Sequence, residues 1–230
     1  MKRSKKYKKA KELIDKNKEY PLEEALDLLP QITTCKFDAS IEIHINLNLS
    51  DKQKKTSIKG STTFPHQVGD IAKVAVITTP ENNEEAKEAD IVGYEDLIKK
   101  IEKGWNDFDI LIASPEVMSK VAILGKKLGP QGKMPNPKNG TVTKNLKKTI
   151  KNYKKGKINF KKDDQNGIHQ LVGKASMKKT DLKKNIVTFL KAVFKEVKNL
   201  NMIPFKSIYL SPSMGPSIKL DVNGIIKILS

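Results

Sequence analysis

The sequence predicts an α+β domain assembled from both ends of the chain, with an α/β domain inserted in its middle. Three observations lead there. Apolar and polar residues alternate strictly from Ser40 to Leu49. Between residues 73 and 124 short apolar runs alternate with helical patterns, and beyond Lys157 longer strands return with one long helix. The boundaries this implies are 1–67 with 159–230 for the α+β domain and 68–158 for the insertion. A length of 230 residues suits one or two domains.

Taken in order, residues 5–17 read as a lysine-rich helix. Pro21, tolerated at the first helical position, opens a short helix through Leu29. In the alternating stretch Ile41, Ile43, Ile45, Leu47 and Leu49 face one way; Ser40, Glu42, His44, Asn46 and Asn48 face the other. That is the pattern of a long half-buried strand with a polar outer face. A second strand is expected over residues 58–64. The middle then changes period. Apolar runs at 73–78, 91–92 and 109–113 are each followed by a helical pattern, over 81–89, 94–103 and 115–124. Such alternation is parallel-sheet layering, so the insertion is expected to be three-layered and Rossmann-like. Thr143 is placed to N-cap a helix reaching Tyr153. Further strands are expected at 158–161, 168–172, 206–211 and 217–222, with a helix over 181–198. Asn223-Gly224 between apolar runs is a type I′ hairpin signal, which would turn residues 225–229 back onto the last strand.

Charge is the largest clue to function. The formal net charge is +18, a surface suited to a polyanion, with nucleic acid the first candidate and an anionic membrane the second. It is segregated: residues 68–120 carry 6 basic and 12 acidic groups, whereas residues 121–162 carry 13 basic and no acidic ones. Of the 44 basic residues only Arg3 is an arginine. The planar fork that reads guanine in a DNA major groove is therefore nearly missing. Lysines act as point charges on phosphates, so specificity must come from shape, stacking, hydroxyls or main-chain donors, which favours a folded RNA. Cys35 is the only cysteine, leaving no intramolecular disulfide and no Cys-x-x-Cys metal site. No apolar run approaches the ~20 residues of a membrane span, and the basic start lacks an apolar h-region. A cytoplasmic protein without a secretory signal is expected.

The most unusual local sequence spans residues 125–140, with Gly125, Gly129, Gly132 and Gly140, three prolines, and Lys126, Lys127, Lys133 and Lys138. Lysine-bearing glycine loops can cradle phosphates. The spacing is not that of a P-loop, since Gly132-Lys133 is followed by Met134, and the loop follows a helix rather than a strand. A rigid surface loop and a phosphate-facing loop both remain open. Catalytic constellations are missing: His44, His66 and His169 stand alone in the sequence, and Asp163-Asp164 reads as a solvated turn. Cys35 beside Lys36 reads as a quiet, partly buried thiol. The basic N-terminal helix is either a frayed end or a tail lying along nucleic acid. Lys36-Phe37 offers an aromatic that either stacks on a base or joins the core. Residues 211–216, linking two expected strands, offer hydroxyls and a glycine that permits close approach.

These residues together resemble a known family. Ala113-Ser114-Pro115, the glycine-lysine-proline run from Leu124 to Lys138, and Gly140-Thr141-Val142-Thr143 are similar to the signature of the L-one family of large-subunit ribosomal proteins. The similarity continues through Lys36-Phe37, Phe64-Pro65-His66, Asn166-Gly167-Ile168-His169, Gly173-Lys174 and Met214-Gly215-Pro216, in order along nearly the whole chain. The resemblance implies a bacterial-type, two-domain, non-enzymatic protein without cofactor or metal. Its discontinuous domain would bind large-subunit rRNA at the mobile stalk near the tRNA exit site. Exit-site tRNA and the protein's own operon mRNA would be further partners, with a monomer off the ribosome and no membrane. Carried over by matching position, the RNA contacts would be Lys36, Phe37, Ser40, Glu42, His169, Ser207, Ser213, Met214 and Gly215. Ser40 and Ser213 stand where the family usually has threonine, and residues 52–59 depart from its pattern by sequence and by one residue of length. Glu42 and Ser40 fall on the polar face derived above, where a carboxylate can accept from a ribose hydroxyl or a guanine edge. The competing reading is an α/β enzyme binding a nucleotide or phosphorylated substrate at Lys126, Lys127, Gly129, Gly132, Lys133 and Lys138. A basic nucleic-acid chaperone without a preferred site is a third.

Overall fold

The computed structural model describes residues 4–50, 53, 56–69, 72–82, 84–198 and 204–229. The chain divides into two compact units, Met1–Gly69 with Asn159–Ser230, and Asp70–Ile158.

In the first unit, α1 (Lys5–Glu12) starts at Ser4, whose hydroxyl accepts the Tyr7 N–H at 3.2 Å, and ends earlier than the charge pattern suggested. Helix α2 (Leu22–Ile32) follows Pro21, with Glu23 and Glu24 in its first turn where the helix dipole favours them. It runs past Leu29 through Pro30. Strand β1 (Ser40–Leu47) lies inside a four-stranded antiparallel sheet of order β7-β1-β8-β9, with β7 at Gly167–Lys174, β8 at Phe205–Pro212 and β9 at Ile218–Leu220. Ile41, Ile43 and Ile45 are fully buried, as are Ile208, Leu210 and Ile218 on the neighbouring strands. Helix α7 (Lys179–Val197) supplies Ile186, Phe189, Leu190 and Val193 to this core. Burying each such side chain contributes about 1.5–3 kcal/mol and leaves the opposite face of the sheet to the polar residues of the alternation. Strands β2 (Lys59–Thr63) and β6 (Lys157–Lys161) form a two-stranded sheet. The Phe160 ring lies so close over Gly60 that a Cβ there would sit 2.5 Å from it. Asn185, fully buried on α7, satisfies its whole amide: its NH2 donates to the carbonyls of His66 and Val172, and its oxygen accepts the His66 N–H. The Phe64-Pro65-His66 motif is thus anchored to the core.

The chain end departs from expectation. Residues 225–229 do not form a strand; α8 (Val222–Leu229) is a helix. Two contacts decide this. The carboxylate of Asp221 accepts the Asn223 N–H at 3.0 Å, capping a helical turn rather than a hairpin. The free edge of β9 is already occupied, since Tyr20 exchanges backbone hydrogen bonds with Lys219 and Asp221 at 2.9 Å.

In the second unit a parallel sheet of order β4-β3-β5 forms from β3 (Val74–Ile77), β4 (Ile91–Gly93) and β5 (Ile110–Ala113). Apolar residues cluster on both of its sides. One cluster joins Ala75, Ile77 and Leu111 to Leu97 and Ile101 of α3 (Glu95–Glu102) and to Val121 and Leu128. The other joins Val74, Val76 and Ile112 to Leu146, Ile150 and Tyr153 of α6 (Leu146–Lys154). The helix expected over 81–89 is replaced by a 3-10 turn, Pro80–Asn82, and a series of turns. Glu81, Glu84, Glu85 and Glu88 recur at spacings of three and four, where like charges repel along a helix. The expected helix at 115–124 is broken into two 3-10 turns around one short helix, α4 (Met118–Val121), and α5 (Gly125–Leu128) follows, so the glycine-rich loop begins inside helical structure. Thr143 accepts the Asn145 N–H at 3.1 Å and shapes the turn before α6 instead of capping the helix itself.

Candidate nucleic-acid interface

The outer face of the four-stranded sheet collects polar residues from strands far apart in the chain. In register, Glu42 lies opposite Ser211, His44 opposite Tyr209 on one side and His169 on the other, and Asn46 opposite Ser207. Tyr209 in turn pairs with Lys219 on β9. Two of the three histidines that stand alone in the sequence, His44 and His169, therefore meet. Their Nδ1 atoms are 2.9 Å apart, a separation that admits one proton between them. The His44 Nε2 lies 3.1 Å from the Ser211 hydroxyl, and the His169 Nε2 lies 3.2 Å from Asp163. Burial pushes the His44 imidazole below its ordinary pKa, the facing His169 adds to this, and Glu42 opposes it. Burial pushes Asp163 upward, but the N–H of Gly167, His169 and the N–H of Gln165 together outweigh it and hold the carboxyl low. Asp163 is thus a working part of a turn that steadies His169. Among the described residues no group of three or more His, Cys, Asp or Glu side chains could hold a metal.

At one end of this face two loops are stitched together. The Ser213 N–H donates to the Ser40 carbonyl at 2.8 Å, and the Cys35 thiol donates to the Ser213 carbonyl at 3.3 Å. Lys174 donates to the Ser40 hydroxyl at 2.9 Å. This brings Lys36, Phe37, Ser40 and Glu42 beside Ser213, Met214 and Gly215, across more than 170 residues of chain. Two large apolar side chains are left in solvent there: Phe37 is 58% exposed and Met214 is 80% exposed. The core alternative for Phe37 is excluded. Met214 also adopts a left-handed φ of 58°, a conformation that costs a non-glycine residue about 1–2 kcal/mol. Gly215 is required by packing, because a Cβ would lie 2.6 Å from Pro212 and 3.1 Å from the Ile32 carbonyl.

The other site residues carried over lie further along the same face. His169 is exposed, but Ser207 is 8% exposed and its hydroxyl accepts from the Asn46 amide at 3.0 Å. Ser211, the first residue of the 211–216 segment, shares the face with Asn46, Tyr209 and Lys219, three residues outside the expected RNA contacts. The alternation of β1 points to Asn46; the others depend on strand pairing, which no local pattern reveals.

The basic loop of the second unit is arranged differently. Lys127 donates to the carbonyl of Glu102 at the end of α3. Lys133 donates to the carbonyls of Phe108 and Asn106 and lies 5.0 Å over the Phe108 ring. Both lysines are turned onto their own unit. Gly132 and Gly140 take positive φ of 71° and 70°, and a Cβ on Gly129 would strike the Gly125 carbonyl at 2.6 Å. Lys126 is exposed; Lys138 lies in the 3-10 turn Pro137–Asn139, and its side chain is outside the described residues. The loop is a self-braced turn, and the nucleotide-cradle reading of Lys126, Lys127, Gly129, Gly132, Lys133 and Lys138 has no geometry behind it at Lys127 and Lys133.

A strongly basic α+β protein with a polar sheet face and a solvent-exposed Phe–Met pair is thereby defined. Comparison with known proteins gives its family. Residues 29–216 match the model of the ribosomal protein L1p/L10e family. The large ribosomal subunit protein uL1 of onion yellows phytoplasma is 42% identical over 224 residues, covering 96% of this chain and 97% of that protein. The protein of the same name from Kosmotoga olearia is 40% identical over 229 residues, covering 98% and 99%, and that from Thermosipho africanus is 42% identical over 230. The chain belongs to the ribosomal protein L1p/L10e family, a family of structural proteins and not of enzymes.

Proposed function

We propose that the chain is a structural constituent of the large ribosomal subunit that binds its rRNA at the mobile stalk near the tRNA exit site. In this reading it assists release of deacylated tRNA and represses translation of its own operon mRNA through a mimic of the rRNA site. Its place is the cytoplasmic ribosome, and off the ribosome it is a monomer without a membrane partner. Residues 1–67 with 159–230 form the rRNA-binding α+β domain, and 68–158 an inserted three-layer, Rossmann-like α/β domain. The two compact units, dividing near 69 and 159, support that division, as do the apolar clusters on both sides of the parallel sheet.

One observation carries the RNA reading. Phe37 and Met214, from distant loops tied through Cys35, Ser40 and Ser213, stand exposed at the end of a face rich in hydroxyl, imidazole and carboxylate groups. Exposed apolar side chains beside polar groups suit an RNA whose bases and ribose hydroxyls are accessible, while the lysines supply sequence-independent affinity. Among the described residues no helix is long and apolar enough to cross a membrane. The test is a filter-binding titration with the stalk fragment of large-subunit rRNA and a scrambled RNA of the same length. Binding that persists near ~200 mM salt for the stalk fragment alone supports the reading. Equal binding and equal release with salt would leave only a basic surface.

A further inference from the structure

Beside the Ser213–Gly215 turn the outer face continues into a cleft of about 370 Å3, bounded on one side by α1 and the segment after it and on the other by β8 and β9. Tyr7 stands on the helix wall and Tyr209 on the sheet wall, with Lys11 and Lys16 along the first and Ser217 and Lys219 along the second. We propose that this cleft is a subsite for one unpaired nucleotide of the bound RNA, its base stacked on Tyr209 and Tyr7 and its phosphate held by the lysines. The proposal rests on the rRNA-binding reading and extends it around the sheet edge.

Four features support it. The volume lies in the range of small-ligand sites, roughly 300–1,000 Å3, which suits a single base with its ribose and not a duplex. Both tyrosines are half-buried and both line the cleft. That is the arrangement of a stacking platform. Tyr209 is also the cross-strand neighbour of His44 and Lys219, so an aromatic row crosses the face from the histidine pair to the cleft. Finally, the charge is held in place. Lys219 pairs with Glu19 at 2.7 Å, which orients its ammonium and partly offsets its charge, so the phosphate contact falls mainly to Lys11 and Lys16. Asp15, the carboxylate in the lining, accepts the Asn17 N–H at 2.9 Å and stands against the three lysines Lys11, Lys16 and Lys219. Continuity with Pro216-Ser217, which follow Gly215 directly, favours a nucleotide within a longer RNA over a free one.

The probe is pentauridylate, against a pentanucleotide of equal phosphate number that lacks bases, each titrated into the full-length protein with 13C-labelled tyrosine rings. The proposal expects the Tyr7 and Tyr209 ring resonances to move with pentauridylate and to stay with the abasic chain. Equal movement with both would reduce the cleft to a phosphate contact, and no movement with either would remove it; both outcomes overturn the proposal. Free uridine monophosphate that moves the rings as strongly as pentauridylate would overturn the assignment to an RNA chain. With the stalk fragment, Tyr209→Leu and Tyr7→Leu should each weaken binding roughly ten-fold without changing the salt slope, with Tyr209→Phe recovering what Tyr209→Leu loses. Tyr7 lies on a helix with one buried residue, so its replacement keeps the test open if the strand variant folds poorly. Wild-type affinity in Tyr7→Leu and Tyr209→Leu would sink the cleft and leave the rRNA reading standing. Failure of the wild type to prefer the stalk fragment over scrambled RNA would instead sink that reading, whatever the pentauridylate titration shows.

Discussion

The outer face of the four-stranded sheet and the loop at 125–140 use charge in opposite ways. The loop is the more basic by sequence, yet Lys127 and Lys133 hold main-chain carbonyls of their own unit. The sheet face is poorer in lysine, and it sets out two exposed apolar side chains and a row of hydrogen-bonding groups. A lysine count therefore measures long-range attraction to a polyanion, whereas recognition depends on which groups the fold leaves unspent. On the sheet face the most exposed of these, Phe37 and Met214, carry no charge.

The largest effect expected from that contrast is on specific RNA affinity. Phe37→Ala and Met214→Ala should each weaken binding to the stalk fragment roughly ten-fold, about 1.4 kcal/mol, with the salt slope unchanged because no phosphate contact is lost. The Lys127→Met and Lys133→Met double variant should bind the same fragment within about two-fold of wild type. Salt-dependent filter binding on all of them decides the matter. A loop variant that loses more affinity than Met214→Ala would reverse the comparison.

The difference between the two regions also explains what the sequence made legible. The strict alternation of β1 exposed both the buried isoleucines and the polar positions Ser40 and Glu42, since each is a property of one strand. The His44–His169 pair and the approach of Cys35 to Ser213 are products of pairing between segments more than 120 residues apart, and no local period encodes them. The end of the chain went astray for a related reason. Asn223-Gly224 satisfies a hairpin by its own chemistry, but the edge it would pair with is taken by Tyr20, twenty residues from the N-terminus. In the loop, glycine and lysine spacing identified an unusual backbone, while the direction each lysine takes depended on carbonyls presented by α3 and the segment after it.

A smaller effect should appear in stability rather than binding. Lys133 satisfies two carbonyls and covers the Phe108 ring, so Lys133→Met should lower the stability of the second unit by about 1 kcal/mol, the scale of a partly exposed hydrogen bond to a charged group. Hydrogen exchange at amides of residues 70–158, compared with those of the four-stranded sheet, localises the loss. Faster exchange confined to the sheet would show that the loop lysine is not the brace described.

The smallest effect concerns the histidine pair, and its sign follows from burial. The folded protein holds the His44 pKa below the ordinary ~6.5, chiefly through burial and then through His169, so folding disfavours the charged imidazole. As pH falls from above ~6.5 to the folded value, the unfolded state takes up the proton first. Stability from this group is therefore full above the unfolded pKa and declines through that window on acidification. Geometry points the same way, since a 2.9 Å Nδ1–Nδ1 contact cannot persist with a proton on each atom. Denaturant midpoints at pH 7.5 and 5.5 should show a fall that is smaller in His44→Gln than in wild type. NMR titration should place His44 below 6.5, and His169→Gln should raise it only part of the way back, because burial is the larger cause. A His44 that titrates at or above ~6.5 would mean that burial and His169 do not hold the imidazole down, and the acid sensitivity would have to come from other groups.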